Sequence, residues 1–159
     1  MRGYRFPIIA VFVTLFLSVR PGGAVEFAGG TGESNDPYQI ATAEQLIGMG
    51  KDPNLYDRHF VLVADIDFRT QGPLHDAIIA PYTCSLRGTC AGSLFTGCFD
   101  GNHHVIRNLV IQNSSGDCLG LFGIVGSTAC IRGLILTDVN IEGDRDCGGL
   151  AGINNGTIT

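Results

Sequence analysis

The decapeptide DCLGLFGIVG, Asp117 to Gly126, returns as DCGGLAGINN, Asp146 to Asn155. Cys118, Gly120, Leu121 and Gly123 come back as Cys147, Gly149, Leu150 and Gly152, all displaced by one and the same step. VIRNLVI (Val105 to Ile111) is likewise matched by CIRGLIL (Cys130 to Leu136). TIT (Thr157 to Thr159) begins a further copy, so that Ile106, Ile131 and Ile158 hold one place in three copies. Self-similarity at a step of roughly 20 to 30 residues is the signature of a solenoid.

The content of each copy decides which solenoid. Short apolar alternations such as LILTDVNI and glycine turns fill the intervals, and no helical period follows residue 50. Each copy therefore reads as one turn of strands and loops, and stacking them predicts an all-β, right-handed parallel β-helix. Upstream, Thr42 with Gln45 three residues later forms a capping box, and Gly48 or Gly50 can end the short helix it starts. Leu46, Ile47 and Met49 are the expected contacts of that helical cap. From His59 to Phe68 the period is two, with Phe60, Leu62, Ala64, Ile66 and Phe68 on one face and Asp65 and Asp67 on the other. The segment from Arg69 to Gly97 reads as a loop with an apolar island at Ala77 to Ala80. A tight turn follows at Asp100-Gly101-Asn102.

The chain begins with two arginines, an apolar run from Pro7 to Val19, and small residues up to Ala24. This is the pattern of a secretory leader, 1–24, and the run is shorter than the roughly 20 residues that span a bilayer. Its removal leaves 15 acidic against 7 basic residues, a formal charge of −8. A polyanion such as nucleic acid is a poor partner for such a chain. The rest divides into an N-terminal segment with helical cap, 25–58, and the repeated strands, 59–159.

All six cysteines follow the leader, so disulfides are expected. Strands of adjacent turns lie about 4.8 Å apart, inside the roughly 4.4 to 6.8 Å that a disulfide needs between Cα atoms. Cys118 and Cys147, as equivalent residues, would staple two turns. Cys84 and Cys90 could close the local CSLRGTC loop, which leaves Cys98 and Cys130 as a third pair.

Catalytic and metal-binding patterns are sparse. Asp65 and Asp67 share a strand face and could serve acid–base chemistry or calcium, but no second group at a set distance accompanies them. His103 and His104, adjacent on an extended segment, would point to opposite faces, and His59 and His75 stand apart. GGTGE (Gly29 to Glu33) lacks the strand and the Lys-Ser/Thr ending of a phosphate loop. Asp117, Asp144 and Asp146 could line one side of the stack as an acidic ledge, the weak possibility of calcium in a chain for which no other cofactor is expected. Asn113 and Asn155 head N-glycosylation patterns.

FTGCFDGNHHVIRNLVI, GLFG, IRGLILTDVNIEG and GGLAGINNGTI together resemble the GLUG-motif proteins, secreted or surface-exposed bacterial β-helical repeat proteins. DPYQIATAEQL followed by HFVLVADIDF looks like the cap and first strand that precede such repeats. The resemblance implies a non-enzymatic adhesive or matrix-binding role, with an extracellular polysaccharide or surface protein as partner, and further β-helical turns beyond Thr159. A polysaccharide lyase or hydrolase is the competing class, on analogy of fold alone.

Overall fold

Thr42 stands in extended backbone and its side chain accepts from the Gln45 backbone N–H at 3.2 Å, while Gln45 Oε1 accepts from the backbone N–H groups of Ala41 and Thr42. The capping box is complete, and it starts helix α1, Ala43–Gly50. Leu46 and Met49 are fully buried beneath it and Ile47 packs at its edge. A 3-10 turn, Pro53–Leu55, then leads into the strands.

This computed structural model describes residues 25–84 and 90–159. The leader expected at 1–24 lies outside the described residues, as does the SLRGT stretch between Cys84 and Cys90. Among the described residues no helix is long and apolar enough to cross a membrane.

The architecture is all-β apart from α1. Strands β1 (Tyr38–Ile40), β2 (His59–Leu62) and β3 (Ile66–Asp67) come first, followed by β4 (Tyr82–Cys84) and β5 (Cys90–Gly92). Next are β6 (Cys98–Asp100), β7 (Val105–Arg107), β8 (Val110–Gln112) and β9 (Phe122–Val125). The last are β10 (Cys130–Arg132), β11 (Ile135–Thr137), β12 (Asn140–Glu142), β13 (Ala151–Asn154) and β14 (Thr157–Ile158). A five-stranded sheet runs β1-β2-β6-β10-β14, and a three-stranded one runs β3-β7-β11. Two further pairs are β8-β12 and β9-β13, and all of these pairings are parallel. The exception is an antiparallel hairpin of β4 and β5.

The two larger sheets each align one column of apolar side chains, buried at Phe60, Phe99, Ile131, Ile66 and Ile106 and exposed at Ile158 on the last strand. In the five-stranded sheet Tyr38, Phe60, Phe99, Ile131 and Ile158 are successive register partners. Beside it stand Ile66, Ile106 and Leu136. Aromatic rings link the columns: Phe60 lies 6.3 Å from Phe95, and Phe122 lies 5.1 Å from Phe95 and 5.5 Å from Phe99. Burial of these rings together with the aliphatic side chains around them is the main stabilising term.

Three sequence expectations need correction. The expected strand from His59 to Phe68 is two strands, β2 and β3, with a corner at Val63 to Asp65. Phe60, Leu62, Ile66 and Phe68 are buried as expected, but Ala64 is only half-buried at that corner. The segment from Arg69 to Gly97 is more than a loop, for it carries the β4-β5 hairpin. It also lays Leu74, Ile79 and Phe95 in parallel bridges on Ile111, Phe122 and Val125. Finally, VIRNLVI does not stack on CIRGLIL. Val105 pairs with Ile135 and Val110 with Asn140, while Cys130 pairs with Cys98.

Two of the recurring glycines, Gly123 and Gly152, have a steric reason. A Cβ on Gly123 would strike the carbonyl of Ala80, and one on Gly152 would strike the backbone of Cys118. Both residues sit where the chain presses against the strand or corner beneath it, a closeness that only glycine allows. Around them, the Leu121 N–H donates to the Gly149 carbonyl and the Phe122 N–H to the Leu150 carbonyl.

Candidate functional site

The outward face of the five-stranded sheet carries the most chemistry. Because side chains alternate along a strand, the residues flanking buried Phe60, Phe99 and Ile131 all point out. They form two columns: His59, Cys98 and Cys130, and beside them Val61, Asp100 and Arg132. Ser34 and Pro37 form a rim over these columns, and the enclosed groove has a volume of about 290 Å³.

Within the groove, Arg132 donates to Asp100 from Nε at 2.9 Å and approaches it with Nη2 at 2.8 Å. Asp100 also accepts from the backbone N–H of Asn102, which fixes the tight turn that follows β6. Asn102 and His103 both have positive φ, 47° and 61°, so the histidine pair is a turn and not the extended segment expected. The groove therefore offers an ion pair, an imidazole and two thiols, with a wall supplied by Val61.

The acids singled out in the sequence are engaged elsewhere. Asp65 accepts from the Val105 N–H at 3.1 Å and meets His104 Nδ1 at 3.1 Å. The Val105 N–H foremost, then His104, hold its carboxyl below the usual range. Asp67 is gripped by Arg69 at 2.7 Å, by Asn108 at 2.9 Å and by Arg107 at 3.1 Å. Arg69 foremost, through side chain and backbone, then Asn108 and Arg107, hold Asp67 well below ordinary carboxylates. Both are therefore ionised and partnered, a poor state for a proton donor.

In the acidic ledge, Asp117 and Asp144 face Arg145. Arg145 donates to both oxygens of buried Asp117 and lies 3.7 Å from Asp144. Among the described residues no group of three or more His, Cys, Asp or Glu side chains is placed to hold a metal ion. His75 meets the Gln112 carbonyl at 3.1 Å through Nδ1. Asn113 spends its side-chain amide on the His75 carbonyl, whereas Asn155 is exposed.

Of the three expected cysteine pairs, only Cys118 and Cys147 are not register partners. Asp117 bridges to Arg145, and the Cys118 N–H donates to the Arg145 carbonyl, so the register partner of Cys118 is Asp146 and not Cys147. The backbone agrees, since Cys118 and Asp146 share a left-handed φ of 56° and 53°. Cys147 is one extra residue at this corner, exposed, with its thiol on the Arg145 carbonyl at 3.3 Å. Cys118 itself is buried. Cys84 and Cys90 are register partners across the hairpin. Cys98 and Cys130 are register partners on adjacent parallel strands. Sequence reasoning had not placed His59, Asp100 and Arg132 in one site; their equal offsets from Phe60, Phe99 and Ile131 were the available signal.

No protein-family model matches this chain, and no solved structure matches it. Over 131 residues it is 33% identical to halomucin of Haloquadratum walsbyi, which takes in 81% of this chain and 1% of that protein. Over 164 aligned positions it is 33% identical to a protein of Evansella cellulosilytica named as a Gly-rich membrane protein, 95% of this chain and 17% of that one. The chain thus spans a small fraction of the length of these relatives.

Proposed function

We propose that this chain is a surface-exposed, non-enzymatic binding module, built as a short right-handed parallel β-helix of the GLUG-motif type. The observation that carries the reading is the parallel pairing of strands well separated in sequence, for example 32 positions from Asp100 to Arg132, with apolar columns inside and paired polar columns outside. Such a stack presents a fixed ladder of side chains to a long partner. The names of the two relatives, a halomucin and a Gly-rich membrane protein, support a place at the cell surface. The engagement of Asp65 and Asp67 in ion pairs supports binding over cleavage.

The groove favours a neutral, hydroxyl-rich polymer. The Asp100–Arg132 pair and His59 supply donors and acceptors for sugar hydroxyls, while the net acidity of the chain repels polyuronates. The test is native affinity electrophoresis of the chain in gels containing a soluble neutral polysaccharide such as a mannan or a β-glucan. Saturable retardation, weakened by Arg132→Ala or His59→Ala and unaccompanied by new reducing ends, is expected. Release of reducing ends, abolished by Asp65→Asn or Asp67→Asn, would instead identify a polysaccharide-cleaving enzyme. The surface placement is checked by the intact mass of exported protein, which should begin at Val25.

A further inference from the structure

The six cysteines occupy three different settings, and one of these is suited to covalent linkage between stacked strands. Cys98 and Cys130 stand directly over one another in the outward column of the five-stranded sheet. Parallel neighbours lie about 4.8 Å apart, within the roughly 4.4 to 6.8 Å span of disulfide-linked Cα atoms. As register partners on parallel strands, their side chains leave the same face of the sheet. Both are half-buried and both line the groove.

We propose that Cys98 and Cys130 form a disulfide across the outward face of the sheet, a staple between β6 and β10 that reagents entering the groove can reach and reverse. Burial and the facing thiol of Cys130 push the Cys98 thiol up from its ordinary value. It is therefore a poor free nucleophile near neutral pH.

The oxidant required is a small or protein disulfide, RSSR. One thiol of the pair, as thiolate, attacks a sulfur of RSSR, forming a mixed disulfide and releasing RS⁻, which takes up the lost proton. The second thiolate attacks the mixed disulfide, forms the Cys98–Cys130 bond and releases a second RSH. Two electrons pass to the oxidant and the protein becomes lighter by two hydrogen atoms.

Peptide mapping of the full chain, refolded with oxidised and reduced glutathione and then alkylated, tests the proposal. Cleavage after arginine alone leaves Cys90 with Cys98 and Cys118 with Cys130, so a second cleavage after Phe and Leu is needed to separate them. A cross-linked peptide joining Cys98 to Cys130 is expected, and Cys98→Ser should free Cys130 to alkylation. Dithiothreitol without denaturant should open this link while the far-ultraviolet circular dichroism is retained. Alkylation of both residues in the oxidised protein, or linkage of each to a different cysteine, would overturn the proposal. Opening that requires denaturant would overturn its reversibility. Mapping of the unmutated chain gives the answer even if the serine variant fails to fold.

Discussion

Asp117 is 7% exposed, and its carboxylate receives both Nε and Nη2 of Arg145, a residue 28 positions later. The pair joins two corners of the chain that also bridge through their backbones. Arg145 itself is more than half exposed, so solvent discounts the attraction. The buried acid is the sensitive partner, because leaving it unpaired exacts its desolvation cost. Arg145→Ala should therefore lower the urea unfolding midpoint, and Asp117→Asn in the Arg145→Ala background should recover part of the loss. Urea unfolding midpoints of the single and double variants check this, and a fully additive pair would disprove the coupling.

Equivalent glycines should respond differently to alanine. A Cβ on Gly120 would meet the Gly148 carbonyl at 2.6 Å and one on Gly152 would meet Cys118, but one on Gly149 would meet only Val139 at an ordinary 3.7 Å. Gly120→Ala and Gly152→Ala should each cost about 3 kcal/mol through forced backbone shifts. Gly149→Ala should stay within about 0.5 kcal/mol of the parent. Thermal unfolding of the three variants distinguishes them.

Acid should weaken the strand corner through Asp67. Its folded-state pKa is depressed, chiefly by Arg69, so the stability it contributes is present above the unfolded value of roughly 3.9 and is lost as pH falls toward the folded one. The gap in urea midpoint between the parent and Asp67→Asn should be constant from neutral pH to about 5 and shrink below about 4. A gap that persists unchanged at pH 2.5 would show that packing, and not charge, is what the substitution removes.

The helix was legible because its signal is local: Thr42 and Gln45 bond within one turn. The buried face of β2 and β3 was legible because alternation survives the corner between them. The stacking of Val105 to Ile111 was misread because most of these strands are only three residues long, each with one apolar centre, and many superpositions fit such short patterns. The left-handed corners carry the missing information. Asn108 and Asp138, with φ of 58° and 52°, hold the same place after Ile106 and Leu136, and that polar match outranks the Ile-Arg echo. Leu74, Ile79 and Phe95 were unreadable as strand partners because each contributes a single bridge inside an irregular segment. In the groove, burial of the Phe60, Phe99 and Ile131 column could be foreseen, but which residues of distant strands would face each other required the register.

The cross-strand ion pairs act together as a combination lock. Asp67 meets Arg107, Asp100 meets Arg132 and Asp117 meets Arg145, in each case an earlier acid with a later base. Sliding β3, β6, β7 or β10 by one residue turns its apolar centre outward and parts an acid from its base as well. Surface pairs of this kind add little to the depth of the native well. Their effect is to raise the competing wells, so that a chain of many near-identical short strands keeps a single alignment.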